Sequence, residues 1–293
     1  MTSYNRDGKS GPWAVEKWLV LQRYLKAYAK VFEHQHWVKT YYIDAFAGTG
    51  KAQVRIPSDT EAPLLESYID DPDYEEFRNG SALCALEAEP PFNGYLFIEA
   101  NSERADRLNE AISQHRFRNK VRIRREDAET ALIERIVNNA DINWKKSRAV
   151  CFIDPFALQV RWQTLDALAS TGAIEIIINF PLGMALQRML PRDPEKVEIH
   201  RTKLDEYFGT PDWYDVIYPT ETTLFGDDRT KTNASAIVEW YCRRLEQTFG
   251  YVSGPRLVTN SRGGHLYHLI WAGPHPKGQE ISSHVLSMAD VTT

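Results

Sequence analysis

Residues 41–50, with the sequence YYIDAFAGTG, constrain the fold more than any other part of the chain. They begin with aromatic and β-branched residues, which is typical of a buried strand, and change abruptly to small residues that include Gly48 and Gly50. In a parallel α/β sheet, ligands bind beyond the carboxyl ends of the strands, and glycines there let the backbone approach a ligand closely. Asp44 adds a carboxylate at the same edge. The stretch therefore predicts a ligand-binding turn, and a purely structural turn is the alternative.

The spacing within this stretch resembles the first motif of class I S-adenosylmethionine (SAM) methyltransferases. Its pattern, D-x-F-x-G-x-G, differs from the G-x-G-x-x-G of dinucleotide-binding folds. In those methyltransferases the acidic residue and the glycine loop face the amino-acid end of the cofactor. The resemblance therefore implies cofactor contacts at Asp44, Phe46, Ala47, Gly48 and Gly50.

Predicted strands and helices alternate along the first 180 residues, which is typical of a mostly parallel sheet. Apolar residues at three- and four-residue intervals predict a helix over 13–33. Further helices are predicted at 81–89, 102–114, 162–170, 184–190, 193–208 and 232–249, and further buried strands at 95–98, 149–153 and 174–178. Segments 256–259 and 265–271 predict a closing antiparallel hairpin.

We predict one domain over residues 13–293, after a flexible tail at 1–12. The polar segment 51–79 is rich in proline and aspartate and interrupts this domain directly after the glycine turn. It is either a lid over the site or a surface excursion. Residues 182–250 are richer in helix and predict a helical cap or recognition insert.

Acidic residues follow the next two predicted strands. Glu99 ends the strand at 95–98, the place where nucleotide-binding α/β folds bond ribose hydroxyls, because one carboxylate can accept two such bonds. Asp127 follows the third strand, where methyltransferases commonly contact the adenine amino group. We therefore expect Glu99 at the ribose and Asp127 at the adenine of the cofactor.

Two later strand ends each carry a polar residue with an aromatic residue beside a proline. Asp154, Pro155 and Phe156 resemble the [DNS]-P-P-[FYW] motif of amino-directed DNA and RNA methyltransferases, in which the polar side chain and the proline carbonyl hold the target amine and the aromatic ring stacks on the base. The second proline is missing here, which weakens an assignment to adenine N6. Asn179 and Phe180 end the next strand and form either a second wall of the same pocket or an independent turn.

The charge distribution bears on nucleic-acid binding. The net charge of −5 gives the whole molecule no attraction for phosphate. Positive charge is densest at residues 115–125, HRFRNKVRIRR, where Arg122 and Arg124 would share one face of a strand. This strip could bind the phosphates of DNA or RNA, or it could be a charged edge strand that resists aggregation, which we slightly favour.

Cysteine and histidine positions argue against disulfides and metal sites. Cys84, Cys151 and Cys242 are scattered and form no C-x-x-C pair, which suits a reducing cytoplasm. His265 and His268 are three positions apart on a predicted strand and so face opposite sides of it. We expect no metal site, no targeting signal and no membrane span, since no apolar run approaches the roughly 20 residues that a bilayer requires.

Taken together, these motifs resemble the three-Cys-motif partner protein family. The matching segments, spread over most of residues 13–285, are YYIDAFAGTG, NGSALCAL, FIEAN, CFIDPFALQ, IIINFP and YHLIWAGPHPKG. The resemblance implies a class I SAM-methyltransferase (Rossmann-like) three-layer α/β sandwich, and a neighbouring three-Cys-motif protein, similar to a radical-SAM enzyme, as partner. Where that family usually reads DPFG, this chain has Ala157, which restricts the turn after Phe156.

These observations lead to one expected function and two alternatives. We expect a cytoplasmic SAM-dependent methyltransferase that transfers a methyl group to a nitrogen in nucleic acid, with Asp154, Pro155 and Phe156 as catalytic residues. Substrate contacts are expected at Asn179, Phe180, Arg122 and Arg124. The first alternative is a non-catalytic or partner-dependent subunit that works with the three-Cys-motif protein in nucleic-acid modification, repair or defence. The second is a methyltransferase acting on a small molecule or a protein.

Overall fold

Strands and helices alternate through most of the chain in the computed structural model of the protein, which describes residues 9–10, 12–50, 53–54, 80–223, 226–259 and 264–288. The strands are β1 (Lys9–Ser10), β2 (Lys39–Asp44), β3 (Gln53–Val54), β4 (Gly94–Ile98), β5 (Val121–Arg124), β6 (Ser147–Ile153), β7 (Ile174–Phe180), β8 (Thr220–Thr223), β9 (Gly226–Arg229), β10 (Tyr251–Val252), β11 (Arg256–Thr259) and β12 (His265–Gly273). The α-helices are α1 (Pro12–Val31), α2 (Ser81–Leu86), α3 (Ser102–Ala111), α4 (Ala128–Ala131), α5 (Trp162–Ser170), α6 (Gln187–Met189), α7 (Arg201–Phe208), α8 (Trp213–Ile217), α9 (Ala234–Phe249) and α10 (Pro276–Ser287).

Eight of these strands form one sheet, in the order β10, β12, β7, β6, β2, β4, β5, with β11 also paired to β12. Strands β2, β4, β5, β6 and β7 are parallel, whereas β12 runs antiparallel to β7 and to β11. The chain proceeds outwards from β2 to β5 and then continues at β6, on the other side of β2. The order therefore reverses between β2 and β6, which is where doubly wound sheets bind ligands. The predicted α/β sandwich and its closing antiparallel hairpin are confirmed.

Buried apolar residues cover both faces of this sheet, as expected for parallel strands that read as near-continuous apolar runs. Ile43, Cys151 and Ile176 point to one face, where they pack with α4, α5, α7, α8 and α9. Tyr42 and Phe152 point to the other face, where they pack with α1, α2, α3 and α10. The sheet is thus the middle layer of three, and the face covered by α1 is called the α1 face below.

Several predicted helices differ from the observed ones at their ends. The helix predicted at 81–89 ends at Leu86, with Glu87 as its C-cap, and Pro90 disfavours helical backbone at Glu89, where the prediction ended. The helix predicted at 193–208 begins as a 3₁₀-helix over Pro194–His200 and continues as α7. The helix predicted at 232–249 begins at Ala234, after Asn233 caps it by accepting a hydrogen bond from Ala236 N at 3.2 Å.

The two predicted insertions have different outcomes. Helices α7, α8 and α9, which lie in the segment predicted as a cap, contribute Leu204, Trp213 and Ile237 to the core beside the sheet. The segment 51–79 lies outside the described residues except for β3, which pairs in parallel with β1. Its role as a lid stays a prediction. Within the described part of the chain, no helix has the length and apolar character needed to cross a membrane.

Candidate active site at the carboxyl edge of the sheet

The glycine turn after β2 is held to the ends of both neighbouring strands. Ala45 N donates a hydrogen bond to the carbonyl of Phe152 at 3.0 Å, and Ala47 N donates to the carbonyl of Ile98 at 2.9 Å. The turn therefore lies at the carboxyl edge of the sheet, as the sequence predicted, and the structure adds that the strand order reverses there. Its position at the end of β2 lets the backbone face a ligand bound beyond the sheet.

Two glycines in this turn adopt a backbone conformation that other residues rarely take. Gly48 has φ +61° and Gly50 has φ +74°, both in the left-handed region. A Cβ atom on Gly50 would lie 2.6 Å from Leu108 Cδ1, whereas a Cβ atom on Gly48 would meet no atom of the described residues within 4 Å. Gly50 is thus required for packing on α3, and Gly48 leaves open space at the edge of the sheet.

Asp44 lies beneath the turn and is completely buried. It accepts hydrogen bonds from Phe46 N at 3.2 Å and from the Tyr42 hydroxyl at 3.3 Å, and it is also bonded by the Ser81 side chain. Burial raises the pKa of Asp44 to about 7, these hydrogen bonds counteract the rise, and the charge of Asp154 adds to it. Asp44 therefore stabilises the turn through the hydrogen bond from Phe46 N, and its carboxyl group has a pKa near neutral pH.

Glu99, at the end of β4, joins the glycine turn to α3. Its carboxylate accepts hydrogen bonds from Gly48 N at 3.1 Å and from Asn101 N at 2.8 Å, and Arg104 lies 2.9 Å from Oε1. A carboxylate has about four lone-pair positions, so about one is free for a ribose hydroxyl. Binding both hydroxyls of a ribose would require Arg104, whose side chain is about one-third exposed, to move aside.

Asp127 lies at the same edge but has a structural role. Its side chain is exposed and caps α4 by accepting a hydrogen bond from Thr130 N at 3.0 Å. A contact between Asp127 and an adenine amino group stays a prediction.

Asp154 and Asn179 come together on the α1 face, at the ends of the adjacent strands β6 and β7. Asn179 Nδ2 donates a hydrogen bond to Asp154 Oδ1 at 2.6 Å. Asn179 is 4% exposed, and its Oδ1 atom has no hydrogen-bond partner among the described residues. The site therefore holds a carboxylate beside a buried, unused acceptor oxygen.

Lys17, in the first half of α1, completes this cluster and was not singled out in the sequence. Its ammonium group forms an ion pair with Asp154 Oδ2 and lies 5.5 Å from the centre of the Tyr267 ring. The sequence gives one indication that Lys17 faces the interior: it falls on the same helical stripe as the buried residues Leu21 and Tyr24. A lysine on an apolar stripe needs an acidic partner when it is largely buried.

Of the three phenylalanines predicted in the site, Phe46 is partly buried against the core, and the other two differ in exposure. Phe156 is 68% exposed, directly after the buried Pro155, and Arg104 lies 5.9 Å from its ring centre. Phe180 is completely buried on the face opposite the α1 face, 4.6 Å from the Tyr241 ring centre. The prediction that Phe180 contacts substrate is therefore wrong: side chains alternate along a strand, so Asn179 and Phe180 point in opposite directions.

The arginines of β5 are exposed but stand apart from Asp154. Arg122 donates to the carbonyls of its neighbours Asn119 and Val121, and the carbonyl of Arg124 accepts a hydrogen bond from Glu99 N at 3.0 Å. The structure thus brings Arg124, and not Arg122, near the carboxyl edge. Nearby positive charge is partly neutralised, since Arg116 pairs with Glu89 and Arg125 with Asp106.

Comparisons with known proteins show a likeness in fold only. No protein-family model matches the chain, and no curated protein matches its sequence. Among solved structures, protein LPL1258 from Legionella pneumophila, assigned to the family model DUF519, is 11% identical over 92% of this chain and 91% of its own, with a TM-score of 0.50. A candidate O-methyltransferase from Klebsiella pneumoniae is 10% identical over 91% of this chain and 92% of its own, with a TM-score of 0.40. A candidate SAM-dependent methyltransferase from Listeria monocytogenes is 11% identical over 84% of this chain and 98% of its own, with a TM-score of 0.35.

Proposed function

We propose that the protein is a SAM-dependent methyltransferase that acts on an amino nitrogen in nucleic acid. The observation that carries this proposal is the Asp154–Asn179 pair, which places two oxygen acceptors at adjacent strand ends beside the glycine turn. An amino group has two hydrogens to donate, and this pair offers one acceptor for each once Lys17 releases Asp154. The likeness in fold to the candidate methyltransferases is consistent with this proposal.

The residues at the glycine turn fit a cofactor of this kind. Gly48 leaves open space at the edge of the sheet, and the Glu99 carboxylate beside it has acceptor capacity for a ribose hydroxyl. The turn and Glu99 would hold the amino-acid and ribose portions. Bound SAM supplies a methyl group on a sulfonium, which is already a strong electrophile, so alignment of the acceptor can supply much of the rate.

The remaining residues would orient the acceptor. Asp154 and Asn179 would bond the two N–H groups, so that the nitrogen lone pair is directed towards the methyl carbon. Bound SAM would supply the methyl group, with S-adenosylhomocysteine as the leaving group. Asp154 would accept a hydrogen bond from the amine N–H, and the methylated nitrogen would lose one proton to solvent. The exposed Phe156 ring provides a stacking surface for a base, which is the sequence-tolerant contact of single-stranded nucleic-acid binding.

Removal of the Asp154 carboxylate tests this proposal. We expect Asp154→Ala to abolish transfer of tritiated methyl groups from SAM to total RNA or DNA, while the Kd for S-adenosylhomocysteine stays within about threefold of the wild-type value. Asp141→Ala, an exposed aspartate in a loop, serves as the matched control and should transfer at the wild-type rate. Wild-type transfer by Asp154→Ala would contradict the assignment, and methylation of protein but not of nucleic acid would favour the other substrate class.

A second candidate function is a subunit whose site is completed by a partner. It is favoured by the ion pair of Lys17 with Asp154, because this pair occupies the carboxylate that the acceptor amine would need. By resemblance, the partner would be the three-Cys-motif protein. In that case transfer by the isolated chain would be undetectable and would begin when the partner is added.

A further inference from the structure

A cavity lies between α1 and α10 at the amino edge of the sheet, opposite the candidate active site. It has a volume of about 270 Å³. We call it the amino-edge cavity and define it by six of its lining residues, Tyr24, Tyr28, Phe32, Arg148, Glu175 and Ile281. Glu175 and Asn179 are four positions apart on β7, which places the cavity roughly 13 Å from the candidate active site. It is therefore a separate feature of the fold.

The inner end of the cavity carries an unused hydrogen-bonding group. Tyr28 is only 5% exposed, and its hydroxyl has no partner among the described residues. Burial raises the pKa of Tyr28 well above its usual value, Glu175 adds to the rise, and Arg148 counteracts it, so both of these groups lie near the hydroxyl. A buried polar group without a partner is costly, and a ligand that bonds it would remove that cost.

Positive charge dominates the polar lining. Arg148 donates to the carbonyls of Trp144 and Ser147, and it has no acidic partner within the described ranges. Glu175 is bonded by the Tyr24 hydroxyl at 2.5 Å, and burial raises its pKa to about 8, so at neutral pH it is mostly protonated and uncharged. The cavity therefore offers a ligand the Arg148 guanidinium and the unused Tyr28 hydroxyl, while the carboxyl group of Glu175 is held by Tyr24.

Most of the remaining lining is apolar and sets the size of a ligand, while Gln35, His275 and Lys277 add polar groups. Tyr28 and Phe32 form an aromatic wall with ring centres 5.0 Å apart, and Ile281 lies on the α10 side. A cavity of about 150 Å³ holds benzene, so by proportion this one holds roughly ten non-hydrogen atoms. From the shape, the unpaired Tyr28 hydroxyl and the Arg148 charge, we propose that the amino-edge cavity binds a small organic carboxylate with an aromatic or branched apolar body.

Titration of the full chain with three matched probes tests this proposal. Phenylacetate carries the charge, phenylacetamide is its neutral isostere, and 2-phenylethylammonium is the cationic analogue. We expect phenylacetate to bind at least about tenfold more tightly than either of the others, since a hydrogen bond to a charged group is worth roughly 1.5–3 kcal/mol. Binding is followed by calorimetry and by ligand-observed NMR.

Substitutions in the lining of the amino-edge cavity test whether phenylacetate binds there. Arg148→Gln and Tyr28→Phe should each weaken phenylacetate binding, by at least about tenfold and about threefold respectively. Tyr28→Phe removes only an unpaired hydroxyl, so the thermal midpoint of this variant should equal or exceed that of the wild type. Arg135→Gln, an exposed arginine paired with Glu126, is the control and should bind phenylacetate normally. Equal binding of all three probes, unchanged affinity in both cavity variants, or no binding at about 10 mM phenylacetate would overturn the proposal.

Discussion

Gly48 and Gly50 share a backbone conformation but differ in their surroundings, so together they test whether the turn is rigidly packed. Gly50→Ala would introduce both left-handed strain and a 2.6 Å contact with Leu108, and we expect it to lower the free energy of unfolding by about 2–5 kcal/mol. Gly48→Ala introduces only the strain and should cost about 1–2 kcal/mol. Urea unfolding followed by circular dichroism measures both values. Equal losses would show that the packing against α3 is looser than the structure indicates.

Single residues also show what sequence reasoning can and cannot supply at the site. Asp154 and Asn179 were predictable because the carboxyl ends of neighbouring parallel strands must meet at one edge. Phe180 points away from Asn179 because β7 continues through both residues, two positions beyond the predicted end of the strand at Ile178, and side chains alternate along a strand. Lys17 could not be linked to Asp154 in advance, since 137 positions separate them and only the packing of α1 brings them together.

At the scale of an element, β7 carries one buried titratable group near its amino end, Glu175, and this carboxyl group makes the stability of the fold depend on pH. The usual carboxyl pKa of Glu175 is 4.5, and its value in the folded protein is about 8. Between these values the folded protein holds a proton that the unfolded chain releases, so the free energy of unfolding falls as pH rises from about 4.5 to 8. The pKa of Asp44 is raised to about 7, so this residue lowers the free energy of unfolding in the same way between about pH 4 and 7.

The Glu175→Gln variant separates these two contributions. It cannot titrate, so its thermal midpoint should fall less steeply than that of the wild type between pH 5 and pH 8, with a difference in unfolding free energy on the order of a few kcal/mol at the upper end. The fall of the thermal midpoint with pH that remains in Glu175→Gln is assigned to Asp44. Calorimetric melts across this range measure both curves. Parallel curves for the two proteins would show that Glu175 titrates normally in the folded state.

Elements were predicted well where their periodicity was strong. Helix α5 and the core of each parallel strand follow directly from apolar spacing, whereas the end of α2 and the 3₁₀ start before α7 depend on local turn geometry. The role of residues 182–250 as a helical cap or recognition insert stays a prediction, because an amphipathic helix such as α9 has the same pattern whether it covers a site or the sheet.

At the scale of the whole molecule, the net charge of −5 limits how nucleic acid can be held. Of the arginines in residues 115–125, Arg116 and Arg125 have acidic partners, while Arg122 and Arg124 are exposed without one in the described part of the chain. If these two contact phosphates, the affinity for single-stranded RNA should fall with salt with a log–log slope of about −1.4.

A paired substitution checks this charge argument. Arg122→Gln combined with Arg124→Gln should bring the slope close to zero, as measured by fluorescence anisotropy of a labelled oligonucleotide. Arg107→Gln, on the exposed side of α3 and paired with Glu103, is the control and should leave the slope unchanged. An unaltered slope in the double variant would assign nucleic-acid binding to another surface, and would leave the edge-strand role of these arginines as their explanation.

Calorimetric titration with SAM and with S-adenosylhomocysteine measures whether the glycine turn and Glu99 form a cofactor site. We expect micromolar binding by the wild type and at least about tenfold weaker binding by Glu99→Gln, which keeps the shape of the side chain but loses its charge. Glu103→Gln, four positions along and exposed, should bind like the wild type. Absence of binding to either ligand by a protein shown to be folded, or equal affinity in Glu99→Gln, would contradict the account and favour the partner-dependent subunit.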